Sequence, residues 1–290
     1  MRKKNETLVD IVVSTSRLER LATGFQFTEG PVWNAADEYM LFSDIPANRI
    51  YKWSPKEGVT VFRDPSHHAN GLTYDRQGRL ILCEHGTRRL SRLDTNGEYT
   101  VLADTFRGKR LNSPNDVVLA SDGAIYFTDP PYGITPQEQE LPFQGVFRMR
   151  PVSEEVTVLV EDFDRPNGLA FSPDEKRIYV ADSSSRRHIR VFDVDREGGF
   201  SNGRVFADIR SEVEGNPDGM KVDVEGNLYV AAAGGVWVFS EKGVLRGVIE
   251  TPEKPSNLAW FDEAWRSLFI TARTSVYRIR LGIPGVQVPK

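Results

Sequence analysis

The sequence predicts an all-β fold, a six-bladed β-propeller, and three observations carry that prediction. One short phrase recurs six times. It reads Glu29-Gly-Pro-Val-Trp33, Asn70-Gly-Leu-Thr-Tyr-Asp75, Pro114-Asn-Asp-Val-Val118, Pro166-Asn-Gly-Leu-Ala-Phe171, Pro217-Asp-Gly-Met-Lys-Val-Asp223 and, more faintly, Pro255-Ser-Asn-Leu-Ala-Trp260. Its anchor residues, Glu29, Asn70, Asn115, Asn167, Asp218 and Asn257, stand roughly 40 to 50 residues apart, the length of one four-stranded blade. Helical periodicity is weak throughout, and 24 glycines and 17 prolines interrupt most candidate helical windows.

Each repeat reads the same way in order. The phrase is the inner strand. A turn follows, as in Asp75-Arg-Gln-Gly-Arg79, Ser121-Asp-Gly123, Ser172-Pro-Asp-Glu-Lys176 and Val224-Glu-Gly226. Such residues tolerate tight turns, and the runs behind them, such as Leu80-Ile-Leu82 and Arg177-Ile-Tyr-Val180, suit a pleated second strand. A third run closes on an arginine or a Val-Phe pair, as in Arg49-Ile-Tyr-Lys-Trp53, Gly145-Val-Phe-Arg148, Ile189-Arg-Val-Phe192, Val236-Trp-Val-Phe239 and Val276-Tyr-Arg-Ile279. The sixth repeat ends near Leu281, which leaves too little chain for its fourth strand. Residues 18–25 precede the first anchor and have no blade of their own. They are expected to supply the outer strand of the last blade, so that residues 1–290 form a single propeller domain.

Composition narrows the function. Among 290 residues there is one cysteine, Cys83, so no intrachain disulfide and no four-cysteine zinc site can form. A net charge of -4 offers no broad basic field for nucleic acid. No run of about 20 apolar residues predicts a membrane span. Residues 1–10 carry charge but no apolar core or cleavage site, so a cytoplasmic protein is expected.

A propeller brings equivalent repeat positions to one mouth of its channel. The six anchors are two acids and four amides. Asparagine and aspartate before glycine also start turns well, and Asn70 and Asn257 need be no more than that. Glu29 is a poor turn residue, however, and the combined set makes an oxygen cage suited to a hard divalent cation. Calcium is expected first, with zinc, magnesium or manganese as alternatives. Zinc held by Cys83, Glu84 and His85 is disfavoured, because neighbours along a strand point to opposite faces. His67 and His68 lie in a loop ahead of Asn70, where they touch substrate or simply face solvent. Asp182 reads as a structural turn. Asp129, followed by two prolines and Tyr132, reads equally as a pocket border or a turn. No G-x-S-x-G elbow, G-x-x-x-x-G-K-[ST] loop or H-E-x-x-H pair occurs.

The phrases at 29–33, 113–118, 165–171 and 217–223 resemble, in this order, the gluconolactonase family that includes senescence marker protein (regucalcin). Cys83-Glu-His85 and Tyr126-Phe-Thr-Asp-Pro-Pro-Tyr132 look most like its bacterial gluconolactonase branch. The resemblance spans about residues 19–280. It implies a six-bladed propeller with a catalytic divalent metal, often calcium, in the channel, acting on sugar lactones. Glu29, Asn167 and Asp218 match the metal ligands of the family, and Asn115 matches an amide at or near the metal. There is one departure. The animal branch carries a substrate-contacting arginine two residues before the equivalent of Asn115, where this chain has Ser113, and Arg110 is out of register.

The expected chemistry is hydrolysis of a lactone. Asp218 is the expected base, with Asn70, Asn115, His67, His85, Asp129 and Tyr132 as candidate substrate contacts. The same site could instead hydrolyse phosphotriesters. The alternative from another class is a non-catalytic calcium-binding propeller.

Overall fold

The computed structural model describes residues 7–288; the domain expected over 1–290 therefore extends at both ends outside the described residues. Among these, helix is limited to two short 3-10 turns at Leu8–Asp10 and Pro136–Glu138. Six antiparallel four-stranded sheets make up the rest, together with a small hairpin pairing Thr105–Phe106 with Lys109–Arg110.

The inner strands of the first to sixth blades are Thr28–Asn34, Ala69–Tyr74, Val117–Leu119, Pro166–Phe171, Met220–Val222 and Asn257–Phe261. Each pairs with the next strand in sequence, and the third and fourth follow outward. Only the sixth blade departs from this. Its outer strand is Glu19–Thr23, paired antiparallel with Ser275–Arg280 from the other end of the chain. The closing strand expected over 18–25 is therefore present, and it shuts the ring.

Each sheet is apolar on both faces because another blade packs on each. The second strands accordingly read as nearly continuous buried runs, such as Leu80–Glu84 and Leu228–Ala232. The core lies between blades rather than within them. Tyr126, Val146, Ile178 and Phe192 fill the gap between the third and fourth blades. Trp33, Phe42, Trp260 and Phe269 fill that between the first and sixth.

Close to the axis the inner strands nearly touch. A Cβ built on Gly168 would stand 2.3 Å from the Asp218 carbonyl oxygen and 2.7 Å from the Gly219 Cα. Neither is a flexible side-chain end, so two blades would have to part. Gly168→Ala is expected to lower stability by about 3 kcal/mol, the upper range for overpacking. Denaturant unfolding would read this, and an unchanged midpoint would show that the ring yields there at no cost.

Candidate active site

The anchor residues come together at one end of the channel, and the backbone explains how. The pairing register shifts between Glu29 and Val32, between Ala69 and Leu72, and between Pro166 and Leu169. An extra residue in one strand re-aims the side chains around it. In the third and fifth blades the regular strand starts two residues after the anchor. The Asn115 N–H still reaches the Thr128 carbonyl at 2.8 Å, and the Asp218 N–H reaches the Ala231 carbonyl at 2.8 Å. In the sixth blade Asn257 pairs in regular register with Thr271.

Glu29, Asn70, Asn115 and Asn167 are buried, while Asp218 keeps part of its surface open. The Glu29 Oε2 accepts from the Gly30 N–H at 2.7 Å and from the Asn257 amide at 3.0 Å. Asn257 also donates to Asp116 Oδ2 at 3.3 Å, so one amide ties two acids together across the axis. Burial, with the charges of Asp218 and Asp116 added, pushes the Glu29 carboxyl well above its ordinary range. Burial also raises Asp116, whose charge Lys221 favours. Asp218 is raised by loss of water around it and by Asp116, against the pull of Lys254, the Asn167 amide and the Gly219 N–H. Three acids thus repel one another in a place that lacks water to screen them.

Asp116 was not singled out from the sequence. Four of the six anchors are followed by glycine, and Asp116 occupies that position in the third repeat. An acid in a glycine slot of a repeat is the signal that could have found it. Lys254, just ahead of the last inner strand, had no such signal.

The other candidates separate. His85 is buried with its Nε2 3.3 Å from the Asn70 amide nitrogen. Burial, then the neighbouring His68, pushes its pKa down to about 4, so it is neutral near pH 7. His68 is held by the Ile45 carbonyl at 2.8 Å from its Nδ1. His67 instead packs its ring against Tyr99 of an outer strand, with centroids 6.2 Å apart. The Tyr132 hydroxyl lies beside Ser183 and Asn167, and burial followed by the Asp218 charge pushes it up to about 12.

Asp129 differs from its placement at the pocket border. It is fully buried, and its two oxygens accept from the Asn112 and Ser113 N–H groups, each at 2.7 Å. Burial pushes its carboxyl up to about 7. Asp44 does the same for residues 26 and 27, and Asp182 for residues 164 and 165. An acid at the end of the second strand clamps the loop that enters the inner strand. Ser113 is buried too, and its Oγ accepts from the Gly133 N–H at 2.9 Å.

The residue set fits a hard cation by its chemistry. Three buried or half-buried carboxylates crowd one axis, and the buried Asn70 Oδ1 has no hydrogen-bond partner. Among the described residues no three His, Cys, Asp or Glu side chains form a ready-made ion site. Amide oxygens, with water or substrate, would complete a coordination shell there.

The SMP-30/Gluconolactonase/LRE-like family model matches residues 27–274. The chain belongs to this family. It is 36% identical to the gluconolactonase of Zymomonas mobilis, over 94% of this chain and 83% of that protein. It is 30% identical to bovine (Bos taurus) regucalcin, over 84% of this chain and 82% of that one. The solved structure of a gluconolactonase from Xanthomonas campestris matches with a TM-score of 0.86 and 38% identity, covering 93% of this chain and 91% of that one. A calcium-binding regucalcin from Agrobacterium tumefaciens shares the fold at TM-score 0.79 and 21% identity. Among the described residues of this family member, no helix is long and apolar enough to cross a membrane.

Proposed function

We propose that this single-domain propeller is a cytoplasmic, divalent-cation-dependent lactonase that opens sugar lactones of the gluconolactone type. The observation that carries the reading is the closeness of Asp218 to both Glu29 and Asn167, with Asn115 at the equivalent repeat position, in a chain of this family. Those four residues are the proposed ligands, with calcium the first candidate and zinc, magnesium or manganese the others. The bound ion would polarise the lactone carbonyl and lower the pKa of water.

The chain's own groups do the rest. An Asp218 carboxylate oxygen accepts a proton from the attacking water. The resulting hydroxide adds to the carbonyl carbon, the ring C–O bond breaks, and the proton passes to the ring oxygen. The product is a hydroxy acid. Burial raises the Asp218 carboxyl to about 7, which strengthens it as a base, and a bound cation would favour its ionised form. The amides of Asn115 and Asn70 donate to substrate oxygens, and neutral His85 orients Asn70. Tyr132 offers a ring wall and a hydroxyl that stays protonated.

The test is a panel of sugar lactones and phosphotriesters, assayed after chelation and after adding back calcium, magnesium, manganese or zinc. Lactone turnover lost on chelation and restored by one ion is expected. Turnover indifferent to chelation removes the cation. Phosphotriester turnover without lactone turnover moves the site to the other ester class. Ion binding with neither activity leaves a non-catalytic calcium-binding propeller.

A further inference from the structure

Arg165, beside Tyr132 at the channel mouth, has a guanidinium with no hydrogen bond or ion pair among the described residues. We propose that it determines substrate specificity by gripping a pair of hydroxyls on adjacent carbons of a sugar ring. The identity of the ring as a lactone rests on the function proposed above; the grip on a polyol does not.

Four observations carry the argument. The backbone of Arg165 is fixed: its N–H donates to Asp182 Oδ1 at 3.1 Å, and its carbonyl accepts from the Ser183 N–H at 2.8 Å. Its side chain is exposed and lies over Tyr132, with the guanidinium carbon 5.7 Å from the ring centroid. Tyr132 in turn reaches the site, its hydroxyl beside Asn167 and close to Asp218. Two other arginines are tied to the backbone, although the buried Arg88 Nη2 has no partner. Arg88 donates to the Leu111 and Asn112 carbonyls, and Arg186 to the Asp162 carbonyl and to Asp182. Arg165 makes no side-chain hydrogen bond or ion pair among the described residues.

The chemistry selects the ligand. A guanidinium is a planar fork of five N–H donors, weakly hydrated, and matched to two oxygens side by side. The cation–π contact with Tyr132 biases the fork toward the mouth. Carboxylates and phosphates also suit such a fork. They have no apolar face to lay against Tyr132, however. A polyhydroxylated ring offers the fork paired oxygens and the aromatic ring a C–H face.

The experiment compares wild type with Arg165→Ala and Arg165→Lys, each checked for an unchanged melting temperature. For D-glucono-1,5-lactone relative to hydroxyl-free δ-valerolactone, the kcat/KM ratio is expected to fall about tenfold in the alanine variant, chiefly through KM. The lysine variant should recover only part, because it keeps the charge and loses the fork. Binding is read separately with 1,5-anhydro-D-glucitol, which has the sugar ring and no carbonyl. Its Kd should rise about tenfold in Arg165→Ala. Arg165-dependent binding of that polyol without any lactone turnover would sink the lactonase reading and keep this one. An unchanged Kd, or an unchanged ratio in an active enzyme, overturns the proposal.

Discussion

Asp218→Asn is expected to cut lactone turnover about 10³-fold, within the range that a positioned general base supplies. Asparagine has the shape of aspartate and keeps one oxygen for a cation, but it cannot take a proton from water. Asp218 also raises Glu29 and is itself raised by Asp116, so its removal relieves repulsion in the ion-free protein. The variant should therefore melt no lower than wild type in chelator, which separates lost chemistry from lost fold. Metal content must be measured alongside turnover. Full activity with metal bound would show that another group takes the proton.

Glu29→Gln is expected to weaken divalent cation binding about 100-fold, since carboxylate charge sets the affinity of such sites. The argument is directional as well as electrostatic. Two donors already aim at Oε2, the Gly30 N–H at 2.7 Å and the Asn257 amide at 3.0 Å. A glutamine must turn its carbonyl oxygen toward them. Its NH₂ group then faces the place of the ion, so a ligand is replaced by a repelling donor. Calorimetric titration with calcium would read the change. Equal affinity in the two proteins would strike Glu29 from the ligand set.

Much of the fold was legible because a repeat is a pattern over the whole chain, which local ambiguity does not erase. The inner strands begin at or within three residues of the six anchors, and residues 19–23 close the last blade. The site was less legible, for reasons that differ by residue. The place of Asp129 depends on how far its strand runs. It runs through 129, which turns the acid under the loop rather than into the mouth. Asp116 was hidden because the repeat invites alignment of its position with glycine. His67 and His68 both take left-handed backbone angles, φ 60° and 54°, and no hydrophobic pattern foretells which way such a corner throws its side chains. Arg165 lies two residues from an anchor, but its stacking on Tyr132 joins two blades and exists only in space.

The sixth blade also has a consequence in time. Its edge strand, Glu19–Thr23, leaves the ribosome early, and its partner, Ser275–Arg280, emerges about 250 residues later. At roughly 5–20 residues per second, that is a delay on the order of 10 to 50 s. Through that interval residues 19–23 lack their strand partner, and the five earlier blades form an open arc with an uncovered flank at each end. The circle is completed only by the last strands to be made. Nascent chains arrested before residue 275 should therefore expose both flanks to protease, and chains arrested well beyond residue 281 should not.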